Sequence, residues 1–559
     1  PLGFSIQTTY SPRFEWTNYL FHKAAASPDS GSQNGRVERT HTKDFYWQWD
    51  NMLKWNKTFG KHAFDFTFLA NWEKFQRWHD EMTNENFLPT DELGYGGIGF
   101  GTSPNVSSDD VYRTGDAFMG RLHYVYDQRY LITATVRRDG YSAFGLANPR
   151  ATFPAIALGW VFSEEKFLHR PDWFEYGKLR LSWGKNGNRA VGTYAAFMQL
   201  APRKYIYVDP ATGSLVTANT FYASTMANPN LKWESTTSWN IGTDLTFLKG
   251  RLSANLDVYK KITTDLLVSR ELPSLIGYSS VMSNIGEVQN TGVELSLNST
   301  NIRMDKLTWR TSFSLAYNKN KITHLYGIME DVKDADGNVI GQREADDIKN
   351  KRFIGHDIDE IWDYKVVGIW QEEEREEAAK YGQQPGDVPL MDKDMNYKYD
   401  NTDKEFQGTT MPRLRWSMRN DFTLFKNFNI SFNMYSYIGH KKTLGRFTND
   451  NALLNVTNQI KRDYWTPENR NNEYPRLANK KPAGVSYAIY KNASFLRFDN
   501  ISIGYTFPKK LIEPLRIQNL NVYATMKNAG YISGWPGYDP ENSDANTPRV
   551  IYFGINLTL

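Results

Sequence analysis

Leu252-Ser253-Ala254-Asn255-Leu256-Asp257-Val258-Tyr259-Lys260 alternates apolar and polar residues one for one, and this pattern recurs along nearly the whole chain. Successive side chains of a strand point to opposite faces, so Leu252, Ala254, Leu256 and Val258 share one face. Ser253, Asn255, Asp257 and Tyr259 share the other. A soluble sandwich turns such an apolar face inward. A membrane barrel turns it to lipid and keeps a polar lumen.

Composition narrows the choice. The chain has 559 residues and is 40% hydrophobic, with a mean hydropathy of −0.60. No apolar run approaches the ~20 residues of a spanning helix, which leaves a strand-built membrane protein open. Aromatics make up 15%, an excess that girdles at two membrane interfaces would explain. Cysteine is absent, which excludes disulfide scaffolds, zinc–thiolate sites and thiol nucleophiles. The formal charge of +4 is small for this length, and no basic stripe points to nucleic acid. The chain opens Pro1-Leu2-Gly3-Phe4 without Met or a signal peptide, as a mature or truncated exported product would.

Alternating segments come in pairs joined by short turns. Phe45–Trp49 leads through Thr58-Phe59-Gly60-Lys61 to Phe64–Phe68, and Leu122–Tyr126 turns at Asp127-Gln128-Arg129 into Tyr130–Val136. Lys249-Gly250 and Lys426-Asn427 mark two more such turns. Between the pairs lie long polar stretches at 77–116, 187–235, 263–290, 320–411, 439–493 and 528–547. Short turns on one side and long loops on the other is the plan of outer-membrane barrels. The expected fold is therefore all-β, a large transmembrane antiparallel barrel of the 22-stranded type, with about seventeen strands in this chain. Strands and outer loops occupy 1–319 and a long extracellular insertion 320–411, and C-terminal strands fill 412–559. The first strand is expected to descend from a long-loop side. An odd count would then place about five strands, and a plug, before Pro1. The long loops should face outside the cell and the short turns the periplasm.

Motifs for chemistry are few. Gly94-Tyr95-Gly96-Gly97-Ile98-Gly99 fits G-x-G-x-x-G, but Thr102-Ser103-Pro104-Asn105 follows where a phosphate-binding helix should start, so a flexible loop is expected. His356-Asp357-Ile358-Asp359-Glu360 reads as a solvated loop segment, and Glu372–Glu377 as a short exposed helix. Asp394-Met395-Asn396-Tyr397-Lys398-Tyr399 begins like a calcium loop, with Lys398 at the third acidic position and Tyr399 at the glycine position. That frame predicts no metal. No cofactor is expected.

Several segments, in this order, resemble the SusC/RagA-like TonB-linked outer-membrane transporters of Bacteroidota. Arg137-Arg138-Asp139-Gly140-Tyr141-Ser142-Ala143-Phe144 is similar to that family's R-R-D-G-S-S-x-F. Phe153–Trp160, Leu179–Asn188, Asn228-Pro229-Asn230-Leu231-Lys232-Trp233-Glu234 and Asn290-Thr291-Gly292-Val293-Glu294 follow. Tyr464–Asn469, Tyr474-Pro475-Arg476-Leu477, Leu496–Tyr505 and Gly537-Tyr538-Asp539-Pro540-Glu541 complete the series. Three departures stand out. The family's plug and TonB-contacting segment have no counterpart here, and the chain ends in Leu559 where the family usually has an aromatic residue. The calcium-like segment corresponds to a family D-x-N-x-D-G-type segment and lacks its critical positions.

The resemblance implies a non-enzymatic, energy-coupled importer of nutrient oligomers, glycans or peptides, in the outer membrane of a Gram-negative bacterium. Its implied partners are a SusD-like surface lipoprotein, the TonB complex acting through the plug, the N-terminal remainder of the barrel, and outer-membrane lipid. A passive porin and a soluble multi-domain glycan-binding protein are the rival readings. Pro154 and Gly159 are expected near a rim, and Trp160, Trp233 and Trp465 at strand–loop borders, as girdle aromatics or as loop packing. Trp362, Tyr364, Trp370, Trp535 and Tyr538 are the candidate contacts to substrate or partner, with loop packing as the alternative for each.

Overall fold

The computed structural model describes residues 3–27, 34–87, 91–272, 274–278, 280–334, 336–444, 463–477, 479–542 and 545–559. Sixteen strands form one antiparallel sheet in chain order. They are β1 (Phe4–Lys23), β2 (Arg36–Phe59), β3 (His62–Glu85), β4 (Asn105–Tyr126), β5 (Tyr130–Tyr141) and β6 (Arg150–Trp160). Next come β7 (Phe174–Asn188), β8 (Glu234–Phe247), β9 (Leu252–Thr264), β10 (Glu287–Met304) and β11 (Leu307–His324). The last are β12 (Leu414–Leu424), β13 (Phe428–Ile438), β14 (Phe495–Thr506), β15 (Asn519–Ser533) and β16 (Val550–Thr558). The chain divides into two compact units. One comprises Pro1–Val161, Arg180–Trp239 and Lys261–Glu287; the other comprises Phe162–Leu179, Asn240–Lys260 and Val288–Leu559.

Several sequence expectations are corrected here. β1 pairs along its full length with β2, Phe4 opposite Trp55 and Lys23 opposite Arg36. It therefore starts at the short-turn end and climbs, instead of descending from a long loop. Pro12, opposite Trp47, interrupts the strand signal of this segment. Among the described residues the main sheet has sixteen strands, where about seventeen were expected. The stretch 77–116, expected as a loop, contributes strand at both ends, because β3 runs to Glu85 and β4 begins at Asn105. β2 and β3 have 24 residues each, about twice the 9–11 that cross a bilayer. Beyond Phe75 charged residues stand on both faces of β3, as at Arg77 and Asp80, and the lipid-type alternation fades while pairing continues. Pro154 stands mid-strand opposite Val136 instead of at a rim, whereas Gly159 and Trp160 lie at the short-turn end.

Register assigns every side chain of this unit to a face. Asp50 opposes Asn71 and Gln48 opposes Glu73 on one face. Trp49 opposes Trp72, and Trp55 opposes Phe66, on the other. The second face is apolar and open, with Ile6 82% and Trp16 66% exposed. Its aromatics form cross-strand ladders, with Phe14–Phe45 centroids 4.4 Å apart and Phe64–Tyr124 4.9 Å apart. An apolar face this large is not left to water in a folded protein.

The sequence motifs of this unit converge. Leu231 and Trp233 pack with Tyr141, Ala143, Phe144 and Phe153 in one buried cluster. Phe144 stacks on Trp233 at 4.8 Å. Trp233 thus packs a loop onto strand ends and is no lipid-facing girdle residue. In the R-R-D-G segment, Arg150 Nη2 donates to Asp116 Oδ1 at 3.0 Å across Gly140. A Cβ at Gly140 would lie 2.6 Å from that oxygen.

Candidate functional site

In the first unit, the polar face of β1–β7 lines a cleft of about 780 Å³. Asn71 Nδ2 donates to Asp50 Oδ1 at 2.7 Å and Gln48 Nε2 donates to Asp50 Oδ2 at 2.8 Å. Arg137 Nε donates to Asp139 at 2.9 Å, and Arg189 Nη2 donates to Glu73 Oε2 at 3.2 Å. Lys185, Asn186, Thr9 and Thr135 extend the polar part of the wall, and Met52, Leu69, Phe153 and Trp233 give it an apolar part.

In the second unit three long loops share one core. They run between β11 and β12, between β13 and β14, and between β15 and β16. Tyr364, Val388 and Leu390 from the first pack with Leu444, Tyr487, Ile489 and Ala493 from the second and Trp535 from the third. Short paired strands, Glu360–Tyr364 with Lys404–Thr409, support the first loop. Polar anchors bind the first loop to the second. Wholly buried Asp387 accepts from Arg476 Nε at 2.7 Å and from the Lys480 amide at 2.9 Å. Trp465 Nε1 donates to Gln371 Oε1 at 3.0 Å, so Trp465 is a loop anchor too. Gly386 has φ +88°, and a Cβ there would meet the Trp465 ring at 2.4 Å. Burial and the Asp363 charge push the Tyr490 phenol up; its OH donates to Asp363 at 3.0 Å. Burial, with Lys442 and Arg415, pushes the His440 imidazole down to about 4.

Beside this core lies a cleft of about 740 Å³, lined by Val366–Gln371, Tyr381, Pro389, Asn472, Glu473, Tyr490 and Lys491 among others. Of the sequence candidates, Trp370 lines it, with Nε1 donating to Gln383 at 3.1 Å and its ring stacked on Tyr381. Trp362, Tyr364 and Trp535 are buried instead. Lys404 Nζ sits 4.8 Å over Trp362 and 4.9 Å over Tyr364. Half-buried Tyr538 lends its backbone carbonyl to the Tyr531 hydroxyl at 2.6 Å. Sequence reasoning missed Tyr381, Gln383, Tyr490 and Lys491, since an isolated polar or aromatic loop residue carries no periodic signal.

The remaining motifs are resolved by packing. His356 stacks on Phe406 at 3.7 Å and shares Nδ1 with Glu360 at 3.1 Å. Residues Glu372–Glu374 and Arg375–Lys380 form the expected short helical turns, with Ala378 fully buried. Gly94–Gly99, expected as a flexible loop, instead lies within the 3-10 helical stretch Asp91–Phe100, which is kinked at Gly94 and Gly97. In the calcium-like segment, carboxylate oxygens of Asp392, Asp394 and Asp403 lie within 4.8 Å of one another, with Asp403 accepting the Lys393 and Asp400 amides and Asp394 accepting from Asn396.

One apolar face for lipid, one polar face for a lumen and loops of great length on one side define a membrane-spanning β-barrel wall. Comparison gives the family. The model of the TonB dependent receptor-like β-barrel matches residues 2–529, and the chain belongs to that family of outer-membrane barrels. It is 28% identical over 555 residues to TonB-dependent receptor P3 of Formosa agariphila, covering 97% of this chain and 53% of that protein. It is 32% identical over 467 residues to TonB-dependent receptor SusC of Bacteroides thetaiotaomicron, covering 79% of this chain and 43% of SusC. The chain thus spans about half the length of the curated relatives it matches. A structure of the RagAB peptide transporter superposes with a TM-score of 0.78 at 20% identity, covering 99% of this chain and 60% of that one.

Proposed function

We propose that this chain forms the wall and outer loops of an outer-membrane importer for nutrient oligomers, glycans or peptides. The observation that carries the reading is the two-faced register of β1–β5, an open and largely aromatic face opposite a largely polar one that holds ion pairs such as Arg189–Glu73. Only closed barrels and helices satisfy backbone groups in lipid, and here the strands do so. The driving force is the TonB complex acting on the family's plug, and the protein is not an enzyme. A SusD-like surface lipoprotein covers the outer side, where the three-loop core offers a preformed platform. Trp370 and the cleft beside it are the contact point for lipoprotein or cargo. Support comes from the family match and from the likeness to SusC.

The test uses the full-length protein with its lipoprotein in cells. Removing Glu372–Gln384 is unsuitable, because Ala378 and Gln383 are part of the loop core. Trp370→Ala combined with Glu473→Lys keeps that core and alters the cleft. Energy-dependent uptake that falls with these changes, together with reduced lipoprotein co-purification, supports the reading. Uptake that persists without TonB, or a steady open-channel conductance, sinks it in favour of a porin.

A further inference from the structure

We infer that the short-turn rim of the second unit binds anionic phospholipid, with turn lysines holding the lipid phosphates and exposed apolar turn residues meeting the acyl chains. The inference rests on the outer-membrane reading, in which the short turns face the periplasm and its phospholipid leaflet. Hydrogen bonds tie neighbouring hairpin ends into one rim. The Leu248 amide donates to the Trp173 carbonyl at 2.7 Å and the Thr300 amide to Arg251 at 2.7 Å. The Phe425 amide donates to Lys306 at 2.9 Å and the Thr506 amide to Asn427 at 2.8 Å. Each turn repeats one pattern, an exposed apolar side chain beside an exposed cation. Leu248 stands with Lys249, Met304 with Lys306, Phe425 with Lys426, and Leu515 with Arg516.

Charge and turn chemistry both point outward. Over residues 248–251, 304–307, 425–427 and 507–518, seven lysines and arginines stand against two carboxylates, Asp305 and Glu513. Among the described residues, Lys249, Lys306, Lys426, Lys509, Lys510 and Arg516 enter no ion pair. Elsewhere in this unit, Arg419 and Arg497 are paired with Asp421 and Asp539. A two-residue hairpin turn with positive φ at both central places favours Asn-Gly. Phe425 and Lys426 take those places at φ +52° and +69°, closed by the Asn427 amide on the Leu424 carbonyl at 3.2 Å. Leu248 and Lys249 also have positive φ, +58° and +55°. Bulky side chains are disfavoured there. Phe425 is nevertheless 68% exposed, so it repays that cost with no core packing of its own.

The neighbouring surface says what covers the rim. Leu424, Phe428, Tyr505, Val522 and Ile555 stand side by side across β12–β16, the last row of the lipid-type face. Phe425 and Lys426 follow directly, at the level where acyl chains give way to headgroups. The connection after β14 is longer and folds into the helical turns Lys509–Ile512 and Glu513–Leu515. Ile512 is buried and anchors them, while Leu511 and Leu515, four residues apart, stay exposed. Apolar side chains at this level enter the acyl boundary, and lysines reach phosphates from it.

Native mass spectrometry of the full-length protein, released from micelles with equal phosphatidylglycerol and phosphatidylcholine, tests the inference. Wild type should retain phosphatidylglycerol about tenfold over phosphatidylcholine, and the preference should shrink as salt rises. Lys426→Ala, Lys509→Ala and Lys510→Ala together should lower that retention more than about tenfold, whereas arginine at the three positions should keep it. Phe425→Asn with Lys426→Gly gives the turn its favoured pair. Heat-modifiability should then hold or improve while phosphatidylglycerol retention falls, which a purely structural turn would not show. Equal retention of the two lipids by wild type, a preference indifferent to salt, or retention unchanged in the folded variants overturns the inference. Equal retention joined to loss of a periplasmic protein from the variants assigns the rim to that protein and overturns it too. Labelling of Lys426→Cys by an impermeant reagent in intact cells marks instead a failure of the orientation on which the inference rests.

Discussion

Asp539→Asn removes one charge from an ion pair that no water reaches. Arg497 on β14 is 3% exposed and Asp539, in the loop after β15, is 2% exposed; they meet at 2.6 Å. Glu541 adds a second carboxylate at 2.7 Å, while Asp539 also accepts the amides of Glu541 at 2.8 Å and Asn542 at 3.3 Å. Breaking a buried pair from one side costs about 3–5 kcal/mol, because the remaining charge keeps its desolvation penalty. Glu541 retains part of the attraction and the asparagine oxygen still accepts one amide, so about 3 kcal/mol is expected. At about 1.4 kcal/mol per factor of ten, that raises the local opening equilibrium of this loop roughly a hundredfold. Hydrogen exchange of Gly534–Asn542 reads this directly, as protection lost by about two orders of magnitude while β14 itself stays protected. Arg497→Met paired with Asp539→Leu, which removes both charges, should recover much of the loss. Protection in Asp539→Asn within about threefold of wild type would refute the reasoning, and with it the view that the G-Y-D-P-E and L-R-F-D-N segments act as one latch.

Gly386→Ala meets both a left-handed φ and the Trp465 ring, so it should cost more than about 2 kcal/mol and release the Trp370 loop to limited proteolysis. His440 is held near 4 in the folded protein against 6.5 when unfolded. Its contribution is present above pH 6.5 and is lost as pH falls toward 4, about 3 kcal/mol in all. Loop stability by hydrogen exchange should thus decline over that window, and His440→Gln should flatten the decline. Gly140→Val should break the Asp116–Arg150 pair that crosses it, lowering the yield of folded barrel in a heat-modifiability gel. In intact cells, an impermeant thiol reagent should leave Gly250→Cys unlabelled and label Glu376→Cys, since these lie on the short-turn and long-loop sides.

Period-two alternation at Leu252–Tyr259 and Tyr130–Val136 revealed the barrel because one face meets lipid and leaves no freedom in pattern. The same physics explains what stayed hidden. Charged residues stand on both faces of β3 beyond Phe75, so Arg77–Glu85 lost its signal although its pairing continued. Pro12 masked β1. Trp362, Tyr364 and Trp535 stood out as aromatics in loops, yet aromatic loop residues are also what a small core needs, and the sequence does not separate these uses. Asp387 and Arg476 come from distant segments, as do Gln383 and Lys480, and each pair meets only through the fold. The approach of Asp392, Asp394 and Asp403 to within 4.8 Å is likewise made by the fold, since Asp403 lies nine residues beyond Asp394.

The central claim, a wall with lipid on one side and a polar lumen on the other, is tested most directly along β5. The chain has no cysteine, so single cysteines at positions 130 through 136 carry a nitroxide label without background. Spectra in bilayers are read against lipid-dissolved oxygen and a water-soluble nickel chelate. Oxygen should dominate at Tyr130, Ile132, Ala134 and Val136, and fall at Leu131, Thr133 and Thr135, a period of exactly two residues set by the register with β4. Accessibility that fails to alternate, or a nickel preference at Ile132 and Ala134, would contradict the account.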